Sequence, residues 1–221
     1  MQDSSSVSSG AGQAGAEHKH FGMIAGDPAL DLVNSVGGWT GDSYGEDHLT
    51  RYEDLLDWGV EAGVLASGDA AALREEAARR PGEERAVVDR ARLLRRAIHE
   101  IFVATTRGEQ PGDKEMALLN GFLGEAMARL RLDAREDGIG WRWDGTGREL
   151  DQILWPVARS AAELLTSERL ERVRSCSGAS FGWMFLDMSR NRSRRWCDMN
   201  DCGNRAKARR HYARKRGEGA G

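Results

Sequence analysis

All three cysteines of the chain lie within residues 172–216, a stretch with little apolar content. That combination constrains the fold more than any other feature. A module of about 45 residues rarely holds itself together by apolar burial alone and needs a staple. An odd, small cysteine count does not make a disulfide framework, and it fits a reducing, cytoplasmic setting, where thiols bind metals instead. Cys197 and Cys202 have four residues between them, and Cys176 lies 21 residues before Cys197. With one thiol at a strand end and the next at a helix start, two thiolates can meet on one zinc ion, and Cys176 is the natural third ligand.

Charge separates the same segment from the rest. Residues 190–216 hold eleven Arg or Lys and two acids, a net of +9, so the overall −3 hides a body of net −12. An acidic body joined to a basic module suggests a nucleic-acid partner for the basic part. No apolar run reaches the roughly 18–20 residues of a membrane helix, and no secretory signal is visible. Residues 1–20 and 217–221 read as disordered Ser/Gly/Ala-rich tails. His18 and His20 fall in the first of these, where no metal role is expected.

Residues 21–170 read as a helical domain. Asp27-Pro28 is a helix start, an N-cap followed by a first-position proline, and predicts a helix over 28–36 with Leu30, Val33 and Asn34 inward. A Gly-rich loop spans 37–48. Thr50 with Glu53 forms a predicted capping box for a helix carrying Leu55, Trp58, Ala62 and Leu65. Helices follow over 69–80, 83–107, 114–132 and 148–165, the last kinked by Pro156. The 83–107 helix carries the clearest apolar stripe, from Val87 to Thr105. Ile139, Trp141 and Trp143 alternate before Asp144-Gly145, a hairpin signal that predicts one tryptophan facing the core and the other the surface. No dinucleotide, P-loop or nucleophile-elbow signature is present, so no enzymatic role is expected.

In the C-terminal module, 181–189 reads as a strand, 189–193 as a turn and 194–198 as the return strand. A helix then opens at 201–204 and runs through RAKARRHYARKR, giving ββα. Trp183 and Trp196 are expected in its core. The stretch SRNRSRRWCDMNDCGNRAKARRHYARKR, with Cys202-Gly203-Asn204-Arg205 at its centre, resembles the CGNR zinc finger, and GDPALDLVNSVGG (26–38) resembles the ABATE domain that accompanies it. The resemblance implies a mainly α protein: a helical N-terminal domain with a small β-hairpin (21–170), then a treble-clef-like zinc finger (172–216). It also implies a bacterial stress-induced transcriptional regulator. The family's finger has four cysteines, whereas this chain has Phe181 five residues after Cys176. The fourth ligand would then be water, His211, Asp187 or Asp198, or the site has lost its metal and Phe181 packs in its place.

The expected nucleic-acid contacts are Arg192, Arg194, Arg195, Arg205, Lys207, Arg209, Arg210, Arg214, Lys215 and Arg216, through counterion release at phosphates. Duplex DNA is the expected partner. The alternatives are docking of the basic helix on the acidic body, and an RNA-binding or protein-interaction module with a degenerate, metal-free finger. Asp31 and Asn34, three apart on one helix face beside the Gly-rich loop, form a possible site for a small-molecule effector, against the simpler reading of a buried polar network. The body would act as sensor or as a homodimerisation module.

Overall fold

The computed structural model describes residues 21–41, 43–136, 138–145, 147–178, 182–209 and 212. The predicted tails lie outside them. The elements are α1 (Pro28–Val33), β1 (Trp39–Thr40), β2 (Ser43–Tyr44), α2 (Tyr52–Glu61), α3 (Ser67–Arg79), α4 (Glu83–Thr106), α5 (Asp113–Ala128), β3 (Leu130–Arg135), β4 (Gly138–Trp143), α6 (Leu154–Leu165), β5 (Val173–Ser175) and β6 (Met184–Leu186). The strands form three separate antiparallel pairs, β1–β2, β3–β4 and β5–β6. The chain is thus mainly α, with a small two-stranded pair in the C-terminal module.

Helix α4 is the spine. Its stripe of Val87, Val88, Ala91, Leu94, Ile98, Ile101 and Phe102 is buried, and α1, α2, α5 and α6 pack around it. Short as it is, α1 lies at the centre, against α4, α6 and β6. Asp27 caps it, accepting from the Ala29 N–H at 3.1 Å and from the Ser160 hydroxyl of α6 at 2.6 Å.

Several expectations are corrected. α1 ends at Val33, before the expected 36, and the Gly-rich segment is not all loop but folds as β1–β2. The capping box sits one residue later than expected: Asp54, not Glu53, accepts from the Thr50 and Arg51 N–H groups, both at 2.9 Å. α5 stops at Ala128, because Leu130–Arg135 leaves the helix to pair with β4, with Leu130 opposite Trp143 and Leu132 opposite Trp141. The hairpin turn therefore lies between Arg135 and Gly138, not at Asp144-Gly145. Trp141 and Trp143 are two apart and share a face; they differ in depth. Trp143 meets Trp155 at 6.0 Å between ring centroids, while Trp141, under the Arg159 guanidinium, is 51 % exposed. α6 begins only at Leu154, so Pro156 sits in its first turn, where a missing N–H costs nothing.

The module at the C-terminus pairs differently from the prediction. β6 pairs with β5, register Val173↔Leu186 and Ser175↔Met184, and not with 194–198. The other edge of β6 is taken by the body. The Asn34 amide donates to the Met184 carbonyl (2.8 Å) and accepts from the Met184 N–H (2.9 Å), and the Leu186 N–H donates to the Ala25 carbonyl (2.8 Å). No edge is left for a third strand, so 194–198 runs irregularly beneath. Met184 and Leu186 belong to the main core, while Phe185, on the opposite face, packs with the three cysteines.

Candidate functional site

The cysteine cluster is assembled from three loops around β5–β6. Cys176 follows β5, its N–H donating to the Trp183 carbonyl at 2.7 Å, and the neighbouring Ser177 N–H reaches the Arg195 carbonyl at 2.8 Å. These two bonds clamp the Cys176 loop to the segment that carries Cys197. Cys202 lies in a one-turn π-helical segment, Met199–Gly203, which leads into helix 204–209. Its start is capped by Asp198, which accepts from the N–H groups of Asn200 (2.5 Å) and Asp201 (3.1 Å).

The three thiols are free, buried and within 4.8 Å of one another. The Cys197 and Cys202 sulfurs are 3.4 Å apart, and Cys176 Sγ accepts from the N–H groups of Cys197 (3.3 Å) and Gly178 (3.4 Å). Hydrogen bonding from the Cys197 thiol, then those two N–H groups, outweighs burial and pulls the Cys176 thiol down to about 5. The shared hydrogen bond with Cys176, together with burial, pushes Cys197 up, and burial raises Cys202.

That donor set fits zinc. Tetrahedral Zn–S bonds of about 2.3 Å place sulfurs roughly 3.8 Å apart, and small shifts of these side chains reach that spacing. The N–H groups aimed at Cys176 Sγ supply the outer hydrogen bonds that such ligands normally have. Cys176, Cys197 and Cys202 would hold the ion, which would replace their protons and staple the module. Among the described residues no carboxylate or imidazole joins the cluster. Asp187 and Asp198, the sequence alternatives for a fourth ligand, are both occupied. Asp187 is fully buried and accepts from the Ser189 hydroxyl (2.6 Å), the Ser189 N–H (2.9 Å) and the Arg194 N–H (2.9 Å), closing the turn at 189–194. Burial pushes its carboxyl up, but these hydrogen bonds prevail and hold it below the usual carboxylate range. His211 and Phe181 lie outside the described residues.

The basic residues divide into three kinds. Arg194 turns inward: its guanidinium stacks 4.4 Å from the Phe185 ring centroid and donates to the carbonyls of Trp196 (3.0 Å) and Cys197. Arg192, in the left-handed region at φ +48°, pairs with Glu171 at 3.1 Å, and Arg205 pairs with Asp201 one turn back. Arg195, Lys207 and Arg209 are exposed and make no ion pair among the described residues. Arg210, Arg214, Lys215 and Arg216 fall outside them. Asn204, Arg205, Lys207, Ala208 and Arg209 are all exposed, so this part of the helix is not laid on the acidic body.

Asp31 and Asn34 are committed inside the fold, Asn34 to Met184 and Asp31 to the Ala25 N–H at 3.0 Å. Burial raises the Asp31 carboxyl to about 6. Sequence reasoning missed a neighbouring pair. Arg95, buried on α4, donates from its two terminal nitrogens to Asp47 at 2.9 and 2.7 Å, and His99, one turn on, stacks on Trp39 with centroids 3.8 Å apart and planes 8° from parallel. Their i, i+4 spacing, flanking the apolar stripe, is the signal that could have found them.

A helical body joined to a small module that gathers three buried thiols fits the class of zinc-finger proteins. Residues 26–168 match the ABATE family, described as "Putative stress-induced transcription regulator", and residues 172–215 match the CGNR zinc finger. The chain belongs to the ABATE family. No curated protein matches it in sequence.

Proposed function

We propose that the chain is a cytoplasmic transcriptional regulator that binds duplex DNA through its finger, with the helical body as sensor or dimerisation module. It has no reaction of its own in this reading. The observation that carries it is the exposed, unneutralised set of Arg195, Lys207 and Arg209 on the finger. Lys and Arg of this kind gain affinity by releasing counterions from phosphates. Shape complementarity to a duplex fits better than single-strand stacking, because Trp183 and Trp196 are partly buried against the core and the cysteine cluster. Among the described residues no helix is long and apolar enough to cross a membrane.

The test is salt-dependent binding of the full chain to duplex DNA, with structured RNA as competitor. Lys207→Ala and Arg209→Ala should each lower the slope of log K against log [salt] by about one unit, with little dependence on sequence. Unchanged slopes, or preferential competition by RNA, count against the reading. Support for the dimerisation role comes from the β3–β4 face, where Leu132, Ile139 and Trp141 are 66 %, 79 % and 51 % exposed. Sedimentation compares the wild type with Ile139→Lys; a monomeric wild type removes that role.

A further inference from the structure

The turn after β6 is braced from within. Asp187 is fully buried, and its carboxylate accepts from the Ser189 hydroxyl (2.6 Å) and from the N–H groups of Ser189 and Arg194, both at 2.9 Å. The Ser189 hydroxyl oxygen accepts from the Ser193 N–H at 3.1 Å, and the Ser189 carbonyl from the Arg192 N–H at 3.2 Å. The Met188 N–H donates back to the Leu186 carbonyl at 3.1 Å, and the Arg172 guanidinium holds the Asp187 carbonyl at 3.1 Å. Residues 187–194 are thus tied at both ends and across the middle, which fixes the direction in which the turn projects.

What the turn projects is one apolar side chain among cations. Met188 is 67 % exposed, and Arg190, Asn191, Arg192 and Ser193 are exposed beside it. Arg190 and, at the foot of the turn, Arg195 make no ion pair among the described residues. Arg192 pairs at 3.1 Å with Glu171, which is itself exposed, and surface pairs of this kind are worth little and are readily exchanged for a phosphate. A single exposed apolar residue is ordinary on a protein surface. A methionine on a braced turn, with arginines two and four residues on, is a more particular arrangement. Minor-groove proteins place arginines at the groove and its phosphates, and drive a Met, Leu, Ile or Phe between two base pairs, which kinks the duplex. Methionine is unbranched and polarizable, so it fills such a gap without a precise fit.

We infer that the 187–194 turn is the DNA-deforming element of the finger: Met188 enters a base step from the minor groove, with Arg190 and Arg192 on the flanking phosphates. This rests on the duplex-binding reading and deepens it. It gives the bound DNA a bend, and gives the finger a preference for the easily unstacked pyrimidine–purine steps.

Ligase-catalysed ring closure of a duplex of about 120 base pairs, shorter than the persistence length of DNA, reads the bend without knowledge of a target sequence. The full chain, at a concentration that a binding titration shows to be saturating, should raise the yield of circles at least about fivefold over free DNA. Met188→Ala should fall to within about twofold of free DNA while its salt slope stays that of the wild type, since no charge is lost. Met188→Leu keeps an apolar wedge and should retain the effect. Arg190→Ala should do the reverse, lowering the salt slope by about one unit and leaving ring closure at saturation intact. Both residues are exposed, so thermal unfolding of all three variants should match the wild type. Duplex bound without faster ring closure, or wild-type ring closure by Met188→Ala, overturns the wedge and leaves the DNA-binding reading standing. A chain that binds no duplex removes both.

Discussion

Replacing Asn34 by alanine should detach the finger's hairpin from the body. The side chain acts as a surrogate strand along the outer edge of β6, with bonds of 2.8 and 2.9 Å to the carbonyl and N–H of Met184. Met184 is fully buried, so neither backbone group finds water when the amide is removed. A buried backbone donor or acceptor left unsatisfied costs about 1–3 kcal/mol, and two together about 2–5 kcal/mol after partial relaxation. For a chain of this length each kcal/mol lowers Tm by about 2–4 °C. Urea denaturation followed by tryptophan fluorescence measures the loss, because Trp183 is seated between the two modules, its indole N–H donating to the Val36 carbonyl at 2.8 Å. Asn34→Asp should be at least as damaging, since a carboxylate cannot donate to the carbonyl. A change below about 0.5 kcal/mol for Asn34→Ala would show that the anchoring does not depend on this amide, and would refute the reasoning.

Further outcomes follow from other parts of the structure. Purified protein should carry about one zinc per chain, and Cys197→Ser should lose it while a chelator lowers the stability of the wild type; a metal-free wild type indifferent to chelator refutes the site. Asp31 holds its proton up to about pH 6 when folded, against 3.8 for the ordinary carboxyl, so its contribution to stability is full below the lower value and is lost as pH rises through the higher. Asp31→Asn keeps an acceptor for Ala25, and between about pH 4 and pH 7 should gain on the wild type by on the order of 3 kcal/mol; parallel pH profiles refute this. Asp47→Ala leaves the fully buried Arg95 uncompensated and should cost about 3–5 kcal/mol, a loss that a second change, Arg95→Met, largely recovers; a single-variant cost under 1 kcal/mol by denaturation refutes that.

A finger freed of residues 1–170 would not keep the packing it has in the full chain. It would expose Met184 and Leu186 from the main core and strip β6 of Asn34 and Ala25. Opposite net charges suggest two modules, but the apolar side chains of β6 join them. The long-range field of the body, net −12, still acts on the finger, yet the exposed face of helix 204–209 shows that it need not take the form of contact.

What the sequence determined alone was local or compositional: the α4 stripe, the Asp27-Pro28 start, the basic segment, and three cysteines spaced to meet on one ion. Helical periodicity, capping chemistry and ligand spacing act over a few residues and leave a direct trace in the chain. The pairing of strands was not so determined. Leu130–Leu132 reads as the end of a helix until Trp141 and Trp143 pair with it, and Met184–Leu186 reads as the partner of 194–198 until Asn34, 150 residues away in the chain, closes that edge. Three-residue strands carry too little periodicity to choose between partners, and the choice falls to the buried polar groups of a distant helix.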